Sequence, residues 1–437
     1  MRPGEIAKLF LEFEKENDIF EWQSDGIYIW QLCRVNIFQH LLAKVKNDKP
    51  AYRGSTIKRI LNKRFRFKNI LLYNPLRDNK HSNVLVFESS RYVNVNGKFV
   101  DPYTSFFTEE LKKKNLSVIR YQSNYTTDHL TQKNSEVKHL DFIEYSALKK
   151  AKTDRFVLKN EDLTILKKIE KFFSDNLNTD LDLNPIVSYL VSFYKAELFY
   201  YKKLLDLKKP EKIFLVDYNS KMAIVTAAKE RRIETTELQH GVMVGEDIIY
   251  HYPTVKEGEH KYFPDKFIVW NELWKTSCKL PIKPDNISIR KNDLLEIKKS
   301  KYGSVKKNDK QILIASQYDL TNEIAKEVLN NIALLKNYKI IYKLHPVEYP
   351  ELEKNIYFKK LKEYDNVVFP DSKSDLHLLL AESKYFVGVY TFVIFEAIEF
   401  DCEINLIELP GIEMMNFLKD VKKIKFHKDF EKFCSSL

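Results

Sequence analysis

Between residues 311 and 409 the chain alternates short unbroken apolar runs with helical stretches. The runs are QILIAS (311–316), KIIYKL (339–344), NVVFP (366–370), YFVGV (385–389) and INLIEL (404–409). Between them lie NEIAKEVLNNIALL (322–335), LEKNIYFKKLKEY (352–364), DLHLLLAES (375–383) and FVIFEAIEF (392–400), which carry helical spacing. Strands that are apolar throughout belong to parallel sheets covered on both faces. Right-handed crossovers then make the sheet doubly wound. A first half with the same grammar precedes it. NVLVFE (83–88), LSVIRY (116–121), KIFLVD (212–217) and IETTELQH (233–240) read as strands, and FFTEELKKK (106–114), PIVSYLVSFYKAELFYYKKLLDL (185–207) and KMAIVTAAKERR (221–232) as helices. The strand-like KFIVW (266–270) sits in a changeover region, 241–309. A chain of 437 residues exceeds one ordinary core. The expected fold class is therefore α/β, with two Rossmann-like doubly wound parallel-sheet domains facing an interdomain cleft. The expected limits are 1–260, which includes a helical N-terminal segment, and 261–437.

Composition narrows the class. Hydrophobic residues make up 44% and charged residues 30%, a globular balance. No apolar run approaches the roughly 18 residues that cross a bilayer, and the opening MRPGEIAKLFLEFEKENDIF is too charged for a secretion signal. The four cysteines, Cys33, Cys278, Cys402 and Cys434, are scattered, which points away from a disulfide framework or zinc site and toward a reducing, cytoplasmic setting. The net charge of +11 reads first as a lysine-rich solvated surface and second as affinity for an anionic partner. Lysine dominates and no RNA-module or zinc-finger signature is present, so nucleic acid is not expected. The stretch STIKRILNKRFRFKN (55–69) is basic and assigned to loops. FLKDVKKIKFHKDFEKF (417–433) reads as a basic amphipathic terminal helix able to rest on a membrane surface.

Chemistry-bearing residues gather where strands end. In the second half these are Gln317, then His345 and Pro346, then Asp371, Ser372 and Ser374, then Tyr390 and Thr391 at a helix start. The carboxyl edge of a parallel sheet is where ligands bind, and helix-start amides suit a phosphate. Glu396, five residues past Thr391, suits the hydroxyls of a ribose. No glycine-rich phosphate loop occurs, so a diphosphate would fall to His345, Thr391 and backbone amides, in a site without metal. In the first half, Gln239-His240-Gly241 leave a strand together, with the glycine allowing close approach or a positive φ. A histidine there can serve as acid, base or phosphate partner. Candidate bases are Glu88, Asp101 and Asp217; Asp101 is favoured for its hydroxyl- and amide-rich loop with Asn94, Asn96, Tyr103 and Thr104.

These segments resemble GT-B glycosyltransferases of bacterial surface-polysaccharide synthesis. KLHP is similar to the HP motif of sialyltransferases and polysialyltransferases. GVYTFVIFEAI resembles their Ser/Thr motif and ribose-binding glutamate, and ELQHG the QHG segment of capsule, lipopolysaccharide and Kdo transferases. PDKFIVWNELWK reads like the link into the second domain of such enzymes. The resemblance covers about residues 210–410. It implies that His345 and Thr391 contact donor phosphates, that Glu396 holds the ribose and that His240 lies near the reacting centre. The expected activity is metal-independent transfer of a sugar, an acidic one such as Kdo or sialic acid, from a CMP-linked donor. The acceptor would be an anionic or lipid-linked capsule, lipopolysaccharide or O-antigen glycan at the cytoplasmic face of the inner membrane, with no cofactor beyond the nucleotide sugar. The resemblance departs at Tyr390-Thr391, where a serine-rich pair is usual, and lacks an acidic-acidic-glycine base motif. The alternatives are a CDP-glycerol or ribitol phosphotransferase of the same fold, or a non-catalytic scaffold binding polysaccharide or RNA.

Overall fold

A computed structural model describes residues 3–46, 74–89, 91–95, 97–123, 137–245 and 247–437. The basic stretch 55–69 and Asn96 lie outside the described residues. The chain divides into two compact units, Met1–Asp293 and Leu294–Leu437.

The first unit opens with helix α1 (Pro3–Glu16), a short antiparallel pair β1 (Gln23–Ser24) and β2 (Ile27–Tyr28), and helix α2 (Ile29–Val45). Strand β3 (Val84–Phe87) follows, then the hairpin β4 (Val93–Val95) and β5 (Lys98–Val100), helix α3 (Ser105–Lys113), β6 (Val118–Gln122) and β7 (Val137–His139). Helices α4 (Asp141–Thr153), α5 (Asn160–Leu177) and α6 (Asn184–Lys208) precede β8 (Lys212–Leu215), α7 (Met222–Lys229), β9 (Glu234–Leu238), β10 (Lys266–Val269), α8 (Leu273–Thr276) and β11 (Ile287–Ile289). The seven strands pair in the order β11-β10-β9-β8-β3-β6-β7, all parallel. Numbered by their sequence within this sheet, that is 7-6-5-4-1-2-3, so the winding reverses between β3 and β8. Val84, Leu85, Val86 and Phe87 of central β3 are all buried, which is why its sequence is apolar without alternation. Phe107 and Leu111 of α3 cover one face beside Phe214. Helices α5 and α6 both stop at residues in left-handed conformation, Asn178 (φ 48°) and Lys209 (φ 47°), which turns the chain out of each helix.

The N-terminal helices belong to this unit. Phe10 stacks on Trp30 at 5.2 Å and on Phe173 of α5 at 5.5 Å. Arg34 of α2 is fully buried; its Nε and Nη2 donate to Glu14 of α1 at 2.6 and 2.8 Å. The same guanidinium donates to the carbonyls of Ile248 and, at 2.9 Å, His251, and lies 4.3 Å over the Tyr252 ring. A buried cation thus ties two helices to the segment that follows His240.

Helix α9 (Asp293–Tyr302) begins at the division. The second unit continues with β12 (Asn308–Ala315), α10 (Thr321–Asn330), β13 (Lys339–Lys343), α11 (Ile356–Leu361), β14 (Val367–Val368), α12 (Leu376–Glu382), β15 (Ser383–Gly388), α13 (Val393–Glu399), β16 (Glu403–Ile407), β17 (Ile424–His427) and α14 (Phe430–Cys434). All six strands run parallel in the order β14-β13-β12-β15-β16-β17. By sequence that is 3-2-1-4-5-6, the Rossmann order, reversing between β12 and β15. The core joins the aliphatic Ile312, Ile314, Ile324, Val328, Ile340 and Val387 to buried Tyr342, Phe358, Phe430 and Phe433.

Three expectations need correction. The boundary falls at Asp293/Leu294 and not at 260, because β10 and β11 pair onto β9 and extend the first sheet. The stretch 417–433 is not one terminal helix. Ile424–His427 forms β17 against β16, with Ile424 and His427 buried and the lysines around them marking a solvated sheet edge. The helix expected from 352 begins at Ile356, capped by Asn355 accepting from Tyr357 N at 2.9 Å, because a 3-10 segment, Pro346–Glu351, fills the preceding turn.

Candidate functional site

In the second unit, the reversal between β12 and β15 leaves two strand ends side by side. Gln317 follows β12 and Tyr390 follows β15, and Tyr390 N donates to Gln317 Oε1 at 3.3 Å. The neighbouring strand β13 delivers His345, which is exposed and caps the 3-10 segment by accepting weakly from Val347 N at 3.4 Å through Nδ1. That bond leaves Nε2 to carry the hydrogen of a neutral ring, a donor suited to a phosphate oxygen. Pro346 opens the segment at a position where its missing N–H costs nothing.

His345 is held by a residue the sequence reading did not single out. Glu348 is 1% exposed. It accepts from His345 N at 2.7 Å, Ser316 Oγ at 2.8 Å and Thr321 Oγ1 at 2.5 Å, joining the ends of β13 and β12 to the start of α10. Its signal was legible: a glutamate three residues after a cap is capping-box spacing. Glu348→Ala strands two hydroxyls and an amide, so urea denaturation should show a loss of about 2–3 kcal/mol.

Thr391 Oγ1 accepts from Val393 N, the first amide of α13, at 3.4 Å, and its O–H remains a donor. That helix spans only Val393–Glu399, too short to lend much dipole to an anion. Glu396 lies in its first turn, with its side chain 36% exposed and Oε1 3.6 Å from His377 Nε2. His377 Nδ1 in turn lies 3.3 Å from Asp375 Oδ1. Asp375 also accepts from Lys298 Nζ at 2.8 Å and Tyr302 OH at 2.7 Å, both on α9. Partial burial opposes ionisation of Asp375, but these donors hold its carboxyl well below the usual range. Ser372 lies exposed in the turn after edge strand β14, where Lys343 Nζ donates to the Asp371 carbonyl at 3.1 Å.

In the first unit the reversal point places Glu88 after β3 and Asp217 after β8. Glu88 is 1% exposed; it pairs with Arg120 and accepts from Tyr92 OH at 2.7 Å. Burial raises its carboxyl above the ordinary value despite Arg120. Asp101, the favoured base, is fully buried and already saturated. Its Oδ2 accepts from Ser89 N and Oγ at 2.8 and 2.5 Å, and its Oδ1 from Tyr103 N and Thr104 N at 3.0 Å each. Asp101 organises its loop, and no lone pair is left for a substrate proton. Gly241 does not use a positive φ. Gln239, 2% exposed, accepts from Trp270 N at 2.9 Å and donates to the Gly241 carbonyl at 2.8 Å, shaping the exit of β9.

His240 leaves β9 with its side chain 18% exposed. Its Nδ1 lies 3.2 Å from Tyr250 OH, and its ring meets Tyr103 edge-on at 6.1 Å. Desolvation lowers the imidazole below its ordinary value, against the nearby charge of Asp217, so the ring is neutral near pH 7. Asp217 itself sits in left-handed conformation (φ 61°), which bends the chain after β8 toward the next strand end. Beneath the histidine is a second residue missed from sequence, Glu237, fully buried inside β9. The clue was a carboxylate within a strand covered on both faces.

No family model matches this chain and no curated protein does. Among solved structures it is similar to a UDP-GlcNAc 2-epimerase from Methanocaldococcus jannaschii, at 12% identity, 81% of this chain, 91% of that chain and TM-score 0.46. It is also similar to a UDP-GlcNAc 2-epimerase from Neisseria meningitidis bound to UDP-GlcNAc (14%, 74%, 81%, 0.43). A third is the wall teichoic acid polymerase TagF with CDPG (12%, 88%, 88%, 0.37).

Proposed function

We propose that this chain is a GT-B glycosyltransferase that takes a sugar from a nucleotide donor, with the nucleotide held by residues 294–437. The observation that carries this reading is the reversal point of the second sheet. There Gln317 and Tyr390 are bonded across adjacent strand ends, and an exposed His345 stands just past the next strand. Crevices at such reversal points are where open parallel sheets hold ligands. In this reading His345 Nε2–H binds a donor phosphate oxygen, Glu396 accepts from ribose hydroxyls, and Asp375 and His377 orient Glu396. His240, neutral and backed by a buried polar pair, takes the proton of the acceptor hydroxyl. The donor is a CMP-linked acidic sugar, as the HP segment suggests, and the acceptor an anionic or lipid-linked surface glycan attracted by the net charge of +11.

Thermal unfolding with CMP, UDP, GDP and CDP-glycerol tests the donor. CMP at 100 times its Kd should stabilise by about 2.7 kcal/mol. His345→Ala should abolish that response while leaving the unliganded Tm near wild type, since the ring is exposed. No response to any nucleotide, or a full response in His345→Ala, would refute the reading. A response confined to CDP-glycerol would replace the sugar donor with a glycerol-phosphate one.

A further inference from the structure

We infer that Tyr250 and Glu237 fix His240 as the Nδ1–H tautomer and leave the ring's lone pair on Nε2, which makes both of them positioning residues. Three donors converge on one oxygen of Glu237. Tyr250 OH approaches Oε1 at 2.6 Å, Asp217 N at 3.1 Å and Tyr218 N at 3.3 Å. Oε2 is buried and has no hydrogen-bond partner among the described residues. A lone carboxylate oxygen in that position would be costly to desolvate; a protonated one is far less so. Burial accordingly pushes the Glu237 carboxyl up to about 8, with the charge of Asp217 adding to the rise and Lys221 opposing it.

With the proton of Glu237 on Oε2, Oε1 can only accept. The hydroxyl hydrogen of Tyr250 therefore points at Glu237 and not at the imidazole. The Tyr250 oxygen, 3.2 Å from His240 Nδ1, can then only accept from the ring. Nδ1 must carry the hydrogen, and Nε2 the lone pair. The other charged groups acting on His240 are Asp217, Lys221, Arg91 and Asp101; burial outweighs them and keeps the ring neutral. Tyr250 is itself anchored. Its segment is gripped by Tyr218 OH, which donates to the Ile249 carbonyl at 2.8 Å, and by Arg34 on the Ile248 carbonyl.

That Nε2 receives the acceptor's proton rests on the function proposed above; the tautomer does not. Long-range proton–nitrogen NMR on the full chain with 15N-labelled histidine reads it directly, with the His240 signals identified by their absence in His240→Asn. The wild type should show a pyrrole-type Nδ1 and a pyridine-type Nε2. Tyr250→Phe should shift His240 toward the Nε2–H form preferred by an unconstrained histidine side chain. Glu237→Gln, whose amide oxygen accepts the same three donors, should keep the wild-type pattern. A wild-type Nε2–H ring, or a Tyr250→Phe spectrum identical to wild type, overturns the proposal; if Tyr250→Phe does not fold, the wild-type spectrum decides alone. A second readout is the pH dependence of stability. Folded Glu237 holds a proton that the unfolded chain releases, so stability falls as pH rises from about 4.5 to about 8. Glu237→Gln should remove that part of the slope, and an unchanged slope counts against a neutral Glu237. Since none of these measurements uses substrate, a chain that transfers no sugar would refute the proposed function and leave the tautomer standing.

Discussion

Arg34→Leu is expected to cost about 3–5 kcal/mol of stability, because it leaves the Glu14 carboxylate buried without its counter-charge. Glu14 is 2% exposed and, among the described residues, would retain the Trp30 indole, which donates to Oε1 at 2.7 Å. The substitution also removes the donors to the carbonyls of Ile248 and His251, so the segment carrying Tyr250 loses its tie to the N-terminal helices. Urea denaturation followed by tryptophan fluorescence measures the loss, since Trp22 and Trp30 sit in this layer. The double variant Glu14→Leu/Arg34→Leu should recover the part due to the unpaired carboxylate, and not the part due to the lost donors to Ile248 and His251. An Arg34→Leu midpoint equal to wild type would show that the pair is not what holds these helices.

Gly411→Ala is expected to cost roughly 2–5 kcal/mol, from two separable causes. Gly411 has φ +97°, a conformation L side chains rarely adopt. A Cβ there would also collide with Cε1 of the Tyr390 ring. The backbone part is about 1–2 kcal/mol and the steric part about 1–3 kcal/mol. Removing the ring in Gly411→Ala/Tyr390→Ala should relieve the second and leave the first, which a double-mutant cycle reports as coupling. Displacing Tyr390 disturbs the hydrogen bond from its amide to Gln317, so, on the function proposed above, CMP binding by Gly411→Ala should weaken beyond what the stability loss explains. Full additivity in the cycle would mean that the glycine does not seat the tyrosine.

The strands were the most legible part of this chain. VLVF, the IFL of KIFL, and ILIA are buried on both faces, and a parallel strand in that position has no solvent side to encode. Edges were harder. Ile287–Ile289 pairs along one side only, with Ser288 and Ile289 exposed, and its short mixed text does not stand out from the lysine-rich region around it. That strand is what moves the boundary to Asp293. In the same way Ile424–His427, an edge strand among lysines, carries the charge pattern of a surface helix.

Among site residues, position was legible and duty was not. Gln317, His345, Tyr390 and His240 could be placed at strand ends from the text alone, because strand ends follow from where apolar runs stop. Asp101 looked like a base because its loop is polar; folded, Ser89 and the backbone amides of Tyr103 and Thr104 saturate it. Glu237 and Glu348 were passed over because a lone glutamate in text is most often a solvated charge.

The amino-acid order by itself determined two parallel sheets and which residues cap their strands, since unbroken apolar runs and their stops are local properties of the chain. Tertiary structure alone decided which carboxylates are buried and which hydrogen-bond partners they meet. Burial and partner geometry arise from segments distant in sequence, such as Arg34 reaching Ile248 or Ser316 reaching Glu348, and no local pattern records those meetings.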